Sequence, residues 1–312
     1  MGMKKNGIGG GAACSRRIFV KGFGAFATVQ LFGCASSDCA GKRPLVRFGI
    51  VTDCHYADIP YAKRPYPVGD AFYRESEGKL SECVAVMNRE RPDFLIELGD
   101  FKDLGPDKAS TVAYLDKIER VFSGFRGDRY HVLGNHDFDA LDKAEFLSHV
   151  TNAGQPQALA NYSFVRGGVK FVVLDACFNA AMEGYRPGNW VWNDANVPPW
   201  QLEWLERELS SAEGNAVVFC HQCLDPEADA NHVVRNAAAV RAVIERSGKV
   251  RAVFTGHQHS GRIGEVNGIT YYSLRATVLD SGPEENGYAL VEVHPSGGIS
   301  VTGYRKAASA RI

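Results

Sequence analysis

From residue 46 onward, short apolar runs alternate with stretches in which apolar residues recur every three or four positions. The runs 46–52, 94–98, 130–133, 216–220 and 252–255 predict strands. The stretches 76–88, 108–122, 141–150, 199–209 and 237–246 predict helices. In the first, Leu80, Cys83, Val84 and Met87 share a face; in the second, Val112, Leu115, Ile118 and Phe122 do. Pro199 opens its helix at a position where a missing N–H costs nothing. Residues 162–165 and 170–174 form a hairpin across Gly167-Gly168. The last quarter reads as strands over 269–274, 288–293 and 299–304, with Pro295-Ser296-Gly297-Gly298 as a turn. Alternating strand–helix units followed by a meander predict two stacked sheets with helices outside, in one domain over 45–308 without an interior linker.

The first 34 residues break this pattern. Ser15-Arg16-Arg17-Ile18-Phe19-Val20-Lys21 resembles a twin-arginine export signal. The small, apolar stretch 22–33 that follows is too short to span a bilayer and suits the core of a signal peptide. Leu31-Phe32-Gly33-Cys34 resembles a lipobox, with the bulky Phe32 as its departure. The expectation is a signal peptide over 1–34, export through the Tat machinery to the periplasm, and membrane attachment through a lipidated Cys34. A buried N-terminal helix is the other reading. Residues 35–44, small and polar, read as a tether.

Composition narrows the choice of partners. The 312 residues include 35 Lys+Arg and 36 Asp+Glu, but five of the basic residues and no acid lie in 1–33. The body is therefore acidic and has no basic stripe, which argues against a nucleic-acid grip. Of eight cysteines, only Cys220 and Cys223 form a C-x-x-C pair, so no thiolate zinc site is completed.

The chemistry sits at strand ends. Five apolar strands run into Asp53-Cys54-His55, Gly99-Asp100, Gly134-Asn135-His136-Asp137, His221, and Gly256-His257-Gln258-His259. Ligands collect at the carboxyl ends of strands in α/β sheets. In extended chain, residues two apart point the same way, so Asp53/His55 and His257/His259 are each expected to approach one metal site. Cys54, between two such residues, is expected to face the core, with metal ligation as the alternative.

Taken together, Asp53-x-His55, Gly99-Asp100-x-x-Asp103, Gly134-Asn135-His136-Asp137, His221 and Gly256-His257-x-His259 resemble the calcineurin-like metallophosphoesterase superfamily. The stretches 72–76, 201–205 and 240–244 are similar to its manganese-dependent ADP-ribose/CDP-alcohol diphosphatase branch. Leu104 stands where serine/threonine phosphatases carry Arg, a departure that argues against a protein phosphatase. The resemblance implies an α/β fold, a four-layer α/β/β/α sandwich of two mixed sheets flanked by helices. It implies a hydrolase for phosphoric ester or diphosphate bonds, acting on a small phosphorylated substrate by in-line attack of a hydroxide shared between two divalent ions (Mn, Fe or Zn).

In that family's arrangement Asp53, His55, Asp100 and His259 would hold one ion and Asp100, Asn135, His221 and His257 the other. His136 would protonate or stabilise the leaving oxygen, with Asp103 orienting it. Imidazole, carboxylate and amide oxygen are a donor set suited to those metals. Arg74 and Arg275 are candidate phosphate ligands, each equally readable as a surface residue. Trp190, Trp192, Trp200 and Trp204 either line a base-stacking wall or pack, and packing is expected for Trp200 and Trp204. Loop 178–198 reads as a lid or an insertion. A phosphomonoesterase and a non-catalytic metal-binding surface protein are the alternatives.

Overall fold

The computed structural model describes residues 43–61 and 69–312. The expected signal peptide, Cys34 and nearly all of the tether lie outside these residues.

Twelve strands form two six-stranded sheets among the described residues. The first sheet is built on β1 (Val46–Val51), β2 (Phe94–Glu97) and β3 (Asp128–His131), which run parallel. On the other side of β1 it continues antiparallel through β10 (Gly287–Val293), β11 (Ile299–Arg305) and β12 (Ala310–Arg311). The second sheet has β5 (Val169–Val173), β6 (Ala216–Phe219), β7 (Val250–Thr255) and β9 (Ile269–Ser273) in parallel. Its antiparallel edges are β4 (Tyr162–Arg166) and β8 (Arg262–Val266).

Period-two alternation explains the layering. Phe48 and Ile50 of β1, Ile96 of β2, Phe171 of β5, Phe219 of β6 and Phe254 of β7 fill the space between the sheets. Phe48 is the hub: it stacks on Phe94 at 5.0 Å and meets Phe171, Phe219 and Phe254 edge-on at 5.4–5.7 Å. The intervening residues face helices. Val51 and Leu95 pack against α1 (Ser76–Glu90), α2 (Lys108–Phe122) and α3 (Lys143–His149). Val172, Val218 and Val253 pack against α4 (Pro199–Ser210) and α5 (Ala237–Ser247). The result is the expected α/β/β/α sandwich.

Two strands were not legible, β8 and β12, and the ladder through Arg311 runs past residue 308. β3 sits two residues earlier than the run 130–133 suggested. Of the helix-face residues, Val112 is only partly buried. Cys54, Cys83, Cys177, Cys220 and Cys223 are buried free thiols, and Cys54 packs in the core beneath the helices.

Candidate metal centre

The loops that follow β1, β2, β3, β6 and β7 converge at one end of the sandwich. Backbone bonds stitch them to one another. Asp53 N donates to Gly99 O at 3.0 Å, His55 N to Asp100 O at 2.8 Å, and Gly256 N to His221 O at 3.0 Å. The glycines of the motifs let these loops touch. A Cβ on Gly134 would lie 2.1 Å from Asp100 N, and one on Gly256 would lie 2.1 Å from Thr52 Oγ1. Asp137, buried, ties the same loops together by accepting from Gly134 N at 2.8 Å and Phe101 N at 3.0 Å.

Two groups of ligand atoms result. Asp53, His55, Asp100 and His259 form one; Asp100, His221 and His257 form the other. Asp100 belongs to both. Its Oδ2 is 3.4 Å from His55 Nε2 and 3.1 Å from His221 Nε2. Asp53 Oδ1 is 3.3 Å from His259 Nε2, and the His55 and His259 Nε2 atoms are 3.3 Å apart. His257 and His259, which spacing put together and the family's arrangement put apart, divide between the two groups. Asp53, His55, Asp100 and His257 all have left-handed backbone, with φ between 44° and 63°. The extended-chain parity rule therefore does not apply to them.

The donor set passes a direct test of fit. Buried polar atoms are almost always hydrogen-bonded. Asp53 Oδ1, Asp100 Oδ2, His221 Nε2, His257 Nε2 and both amide atoms of Asn135 are buried without a hydrogen-bond partner. Leaving each one so would cost about 1–3 kcal/mol. Other buried atoms without a partner lie elsewhere, on Tyr56, Ser76 and Thr277 among others, but these six converge on the expected ligands, which suits residues that hold cations. The charges agree. Burial alone would raise the Asp53 and Asp100 carboxyls, but the surrounding imidazoles hold both well below the ordinary range. Burial would lower His55 and His221, but Asp100 above all drives them up, to about 10 and about 9. His257 goes the other way, pushed down by burial and by His221.

His136 stands over the first group, its ring 4.7 Å from that of His55. Asp103 reaches both, accepting from His55 Nδ1 at 3.1 Å and lying 3.7 Å from His136 Nδ1. The carboxylate expected to orient His136 is thus closer to the candidate ligand His55. The two candidate arginines are engaged elsewhere. Arg74, half exposed, bonds Asp58 at 2.7 Å, and Arg275 bonds Asp280 at 2.8 Å and Glu285 at 3.3 Å. Of the tryptophans, Trp190 and Trp192 flank the centre. Trp190 is 5.2 Å from His136, and Trp192 is 6.0 Å from His257. Trp204 is partly buried, whereas Trp200 is half exposed and meets Phe178 edge-on at 6.1 Å.

Three features were not legible. Buried Lys102 donates to His136 O at 2.5 Å and pairs with Asp139, tying down the His136 turn. Glu97, wholly buried below the Gly99-Asp100 turn, has its carboxyl raised well above the ordinary value, by burial first and by Asp137 next. His232 packs 5.1 Å from His257. Only Lys102 and Glu97 carry a signal, a charged residue next to a motif; His232 belongs to none.

Similarities to known proteins follow the same geometry. Over 293 residues the chain is 26% identical to a manganese-dependent ADP-ribose/CDP-alcohol diphosphatase of Oryza sativa subsp. japonica, covering 82% of this chain and 90% of that protein. It is 24% identical to a probable cyclic nucleotide phosphodiesterase of Fibrobacter succinogenes, covering 81% and 88%. The fold superposes on a dimetal phosphatase from Danio rerio with a TM-score of 0.76 at 21% identity, covering 86% of this chain and 99% of the other. Residues 46–261, which hold every strand-end motif described above, match the calcineurin-like phosphoesterases, and the chain belongs to that family.

Proposed function

We propose that this phosphoesterase is an exported dinuclear metal hydrolase that cleaves the diphosphate linkage of nucleoside-diphosphate-type substrates. The observation that carries the chemistry is Asp100, shared by two groups of metal-capable side chains, with Asp53 Oδ1, Asp100 Oδ2, His221 Nε2 and His257 Nε2 buried and making no hydrogen bond. Asp53, His55, Asp100 and His259 would hold one divalent ion, and Asp100, Asn135, His221 and His257 the other. Such a pair supplies an activated water and a clamp on the oxygens of an in-line displacement.

The protein's own part is positioning and proton transfer. His136 donates a proton to the leaving oxygen, and its turn is fixed by Lys102 and by the bond from His136 N to Asp100 Oδ1 at 2.7 Å. Asp103 holds the His55 ring by its Nδ1 hydrogen so that Nε2 faces inward. Trp190 and Trp192 flank the centre, one beside His136 and one beside His257. The substrate class and the preference for manganese are supported by the names of the relatives that align along most of the chain. Export and lipidation are supported by the twin-arginine stretch 15–21 and by Leu31–Cys34.

The test is turnover with added Mn²⁺ on ADP-ribose, CDP-choline, bis-p-nitrophenyl phosphate and p-nitrophenyl phosphate. ADP-ribose should give AMP and ribose 5-phosphate, with one water consumed. Turnover confined to the monoester would favour a phosphomonoesterase, and silence on all four a binding protein. For export, changing Arg16 and Arg17 to Lys should strand the precursor in the cytoplasm, and Cys34→Ala should abolish palmitate labelling.

A further inference from the structure

Each ligand group lies beneath a tryptophan and a histidine–aspartate pair, and only one of those pairs has a role so far. Over the first group, Trp190 packs 5.2 Å from His136, whose Nδ1 is 3.7 Å from Asp103 Oδ2. Over the second, Trp192 packs 5.4 Å from His232, whose Nδ1 is 3.5 Å from Asp229 Oδ1. His136 meets His55 edge-on at 4.7 Å, and His232 meets His257 edge-on at 5.1 Å. Both tryptophans come from loop 178–198, one on each side of exposed Val191.

His232 is held there by design of its loop. Its carbonyl accepts from Cys223 N at 3.0 Å, and its own N donates to Asp229 O at 2.8 Å. Asp229 N reaches Gln258 Oε1 at 3.3 Å, which links the loop to the Gly256–His259 turn. Buried Asp225 at the root of the loop is clamped by Arg262 at 2.7 Å. The His232 side chain is 27% exposed, so it borders both the centre and solvent. Among the described residues its Nε2 makes no hydrogen bond, which leaves that nitrogen for a ligand.

A diphosphate substrate brings a second phosphate, and that phosphate needs a hydrogen-bond donor of its own. Three guanidiniums are already engaged, Arg74 by Asp58, Arg275 by Asp280 and Glu285, and Arg262 by Asp225 and Glu227. We propose that His232 and Trp192 form the subsite for the substrate beyond the scissile phosphoryl group. His232 hydrogen-bonds an oxygen of the second phosphate, and Trp192 covers the group attached to it. The inference rests on the diphosphate reading above.

The experiment compares ADP-ribose, which has two phosphates, with bis-p-nitrophenyl phosphate, which has one, in the Mn²⁺-loaded full chain. In His232→Ala the ratio of kcat/KM for ADP-ribose to that for bis-p-nitrophenyl phosphate should fall about tenfold or more, the scale of one lost hydrogen bond to a charged group. The loss should appear in KM for ADP-ribose rather than in kcat. His232→Gln, which restores an N–H donor, should recover most of the ratio, and His149→Ala, a partly exposed histidine of α3 paired with Asp116, should leave it at the wild-type value. An unchanged ratio in His232→Ala, with wild-type enzyme active on both substrates, overturns the subsite alone. Wild-type enzyme that cleaves bis-p-nitrophenyl phosphate but not ADP-ribose overturns the diphosphate reading and the subsite together.

Discussion

Sharing of Asp100 makes an asymmetric prediction about metal content. Asp100→Asn keeps the size of the side chain and an oxygen to accept from His136 N, now at 2.7 Å from Oδ1. It removes the charge from the atom lying 3.4 Å from His55 Nε2 and 3.1 Å from His221 Nε2. Breaking a buried charge pairing costs about 3–5 kcal/mol. At about 1.4 kcal/mol per decade, that is two to three and a half powers of ten in affinity, and it applies to both ions. His259→Ala touches only the first group, so it should release one ion. Elemental analysis after gel filtration in micromolar Mn²⁺ should give two ions per chain for wild type, one for His259→Ala and essentially none for Asp100→Asn. Melting provides an independent reading. Metal at about a thousand times its Kd stabilises the wild type by about 4 kcal/mol per site, which should raise Tm by several degrees. Asp100→Asn should lose that rise while still melting cooperatively in EDTA. Two tightly held ions in Asp100→Asn, or both lost in His259→Ala, would refute the shared-ligand geometry.

His136→Ala should lower kcat by about 10²–10⁴ with metal content unchanged, checked by single-substrate kinetics beside elemental analysis. Asp103→Asn should weaken metal affinity about 10–100-fold by releasing His55 Nδ1, checked by calorimetric titration. Glu97 has a folded-state pKa raised above the unfolded value of 4.5, so folding takes up a proton and its contribution is lost as pH rises through the folded value. In EDTA, Glu97→Gln should therefore match wild-type Tm near pH 4 and exceed it increasingly above pH 4.5; parallel curves would contradict this. His55 and His221, raised to about 10 and about 9 in the metal-free protein, must shed protons to bind ions. Metal uptake at pH 7 should release protons, and affinity should climb with pH up to that range, as calorimetry in buffers of different ionisation enthalpy would show.

Much of this centre was readable because its ligands follow apolar strands whose alternation is strong. The interior faces of β1, β2, β5, β6 and β7 are nearly all Val, Ile, Leu, Phe or Ala. β8 was invisible for the complementary reason: Arg262-Ile263-Gly264-Glu265-Val266 is an edge with no fully buried face. Side-chain direction in the loops was the larger loss. Spacing of two placed His257 with His259, and the left-handed turn at His257 sent them to different groups. Nothing local could show that Asp103 reaches His55, or that Trp190 and Trp192 straddle the centre, because those contacts depend on how separate loops cross.

The left-handed residues say how the centre is held. Asp53, His55, Asp100 and His257 sit where a non-glycine residue costs on the order of 1–3 kcal/mol. Glycine would relieve the backbone but would remove the ligand, so the surrounding structure must impose the conformation. It does so through bonds that involve no ion: Val278 N to Asp53 O at 3.1 Å, His257 N to Asp53 Oδ2 at 3.1 Å, Leu98 N to Val51 O at 2.9 Å, and Asp137 across the Gly134 and Phe101 amides. These anchors belong to strands whose cores are already packed on both faces. The candidate ligands are therefore presented before any ion arrives, and Asp53 Oδ1, Asp100 Oδ2, His221 Nε2 and His257 Nε2 wait buried without a hydrogen bond. Substituting a single ligand should accordingly change what the centre binds far more than whether the chain folds.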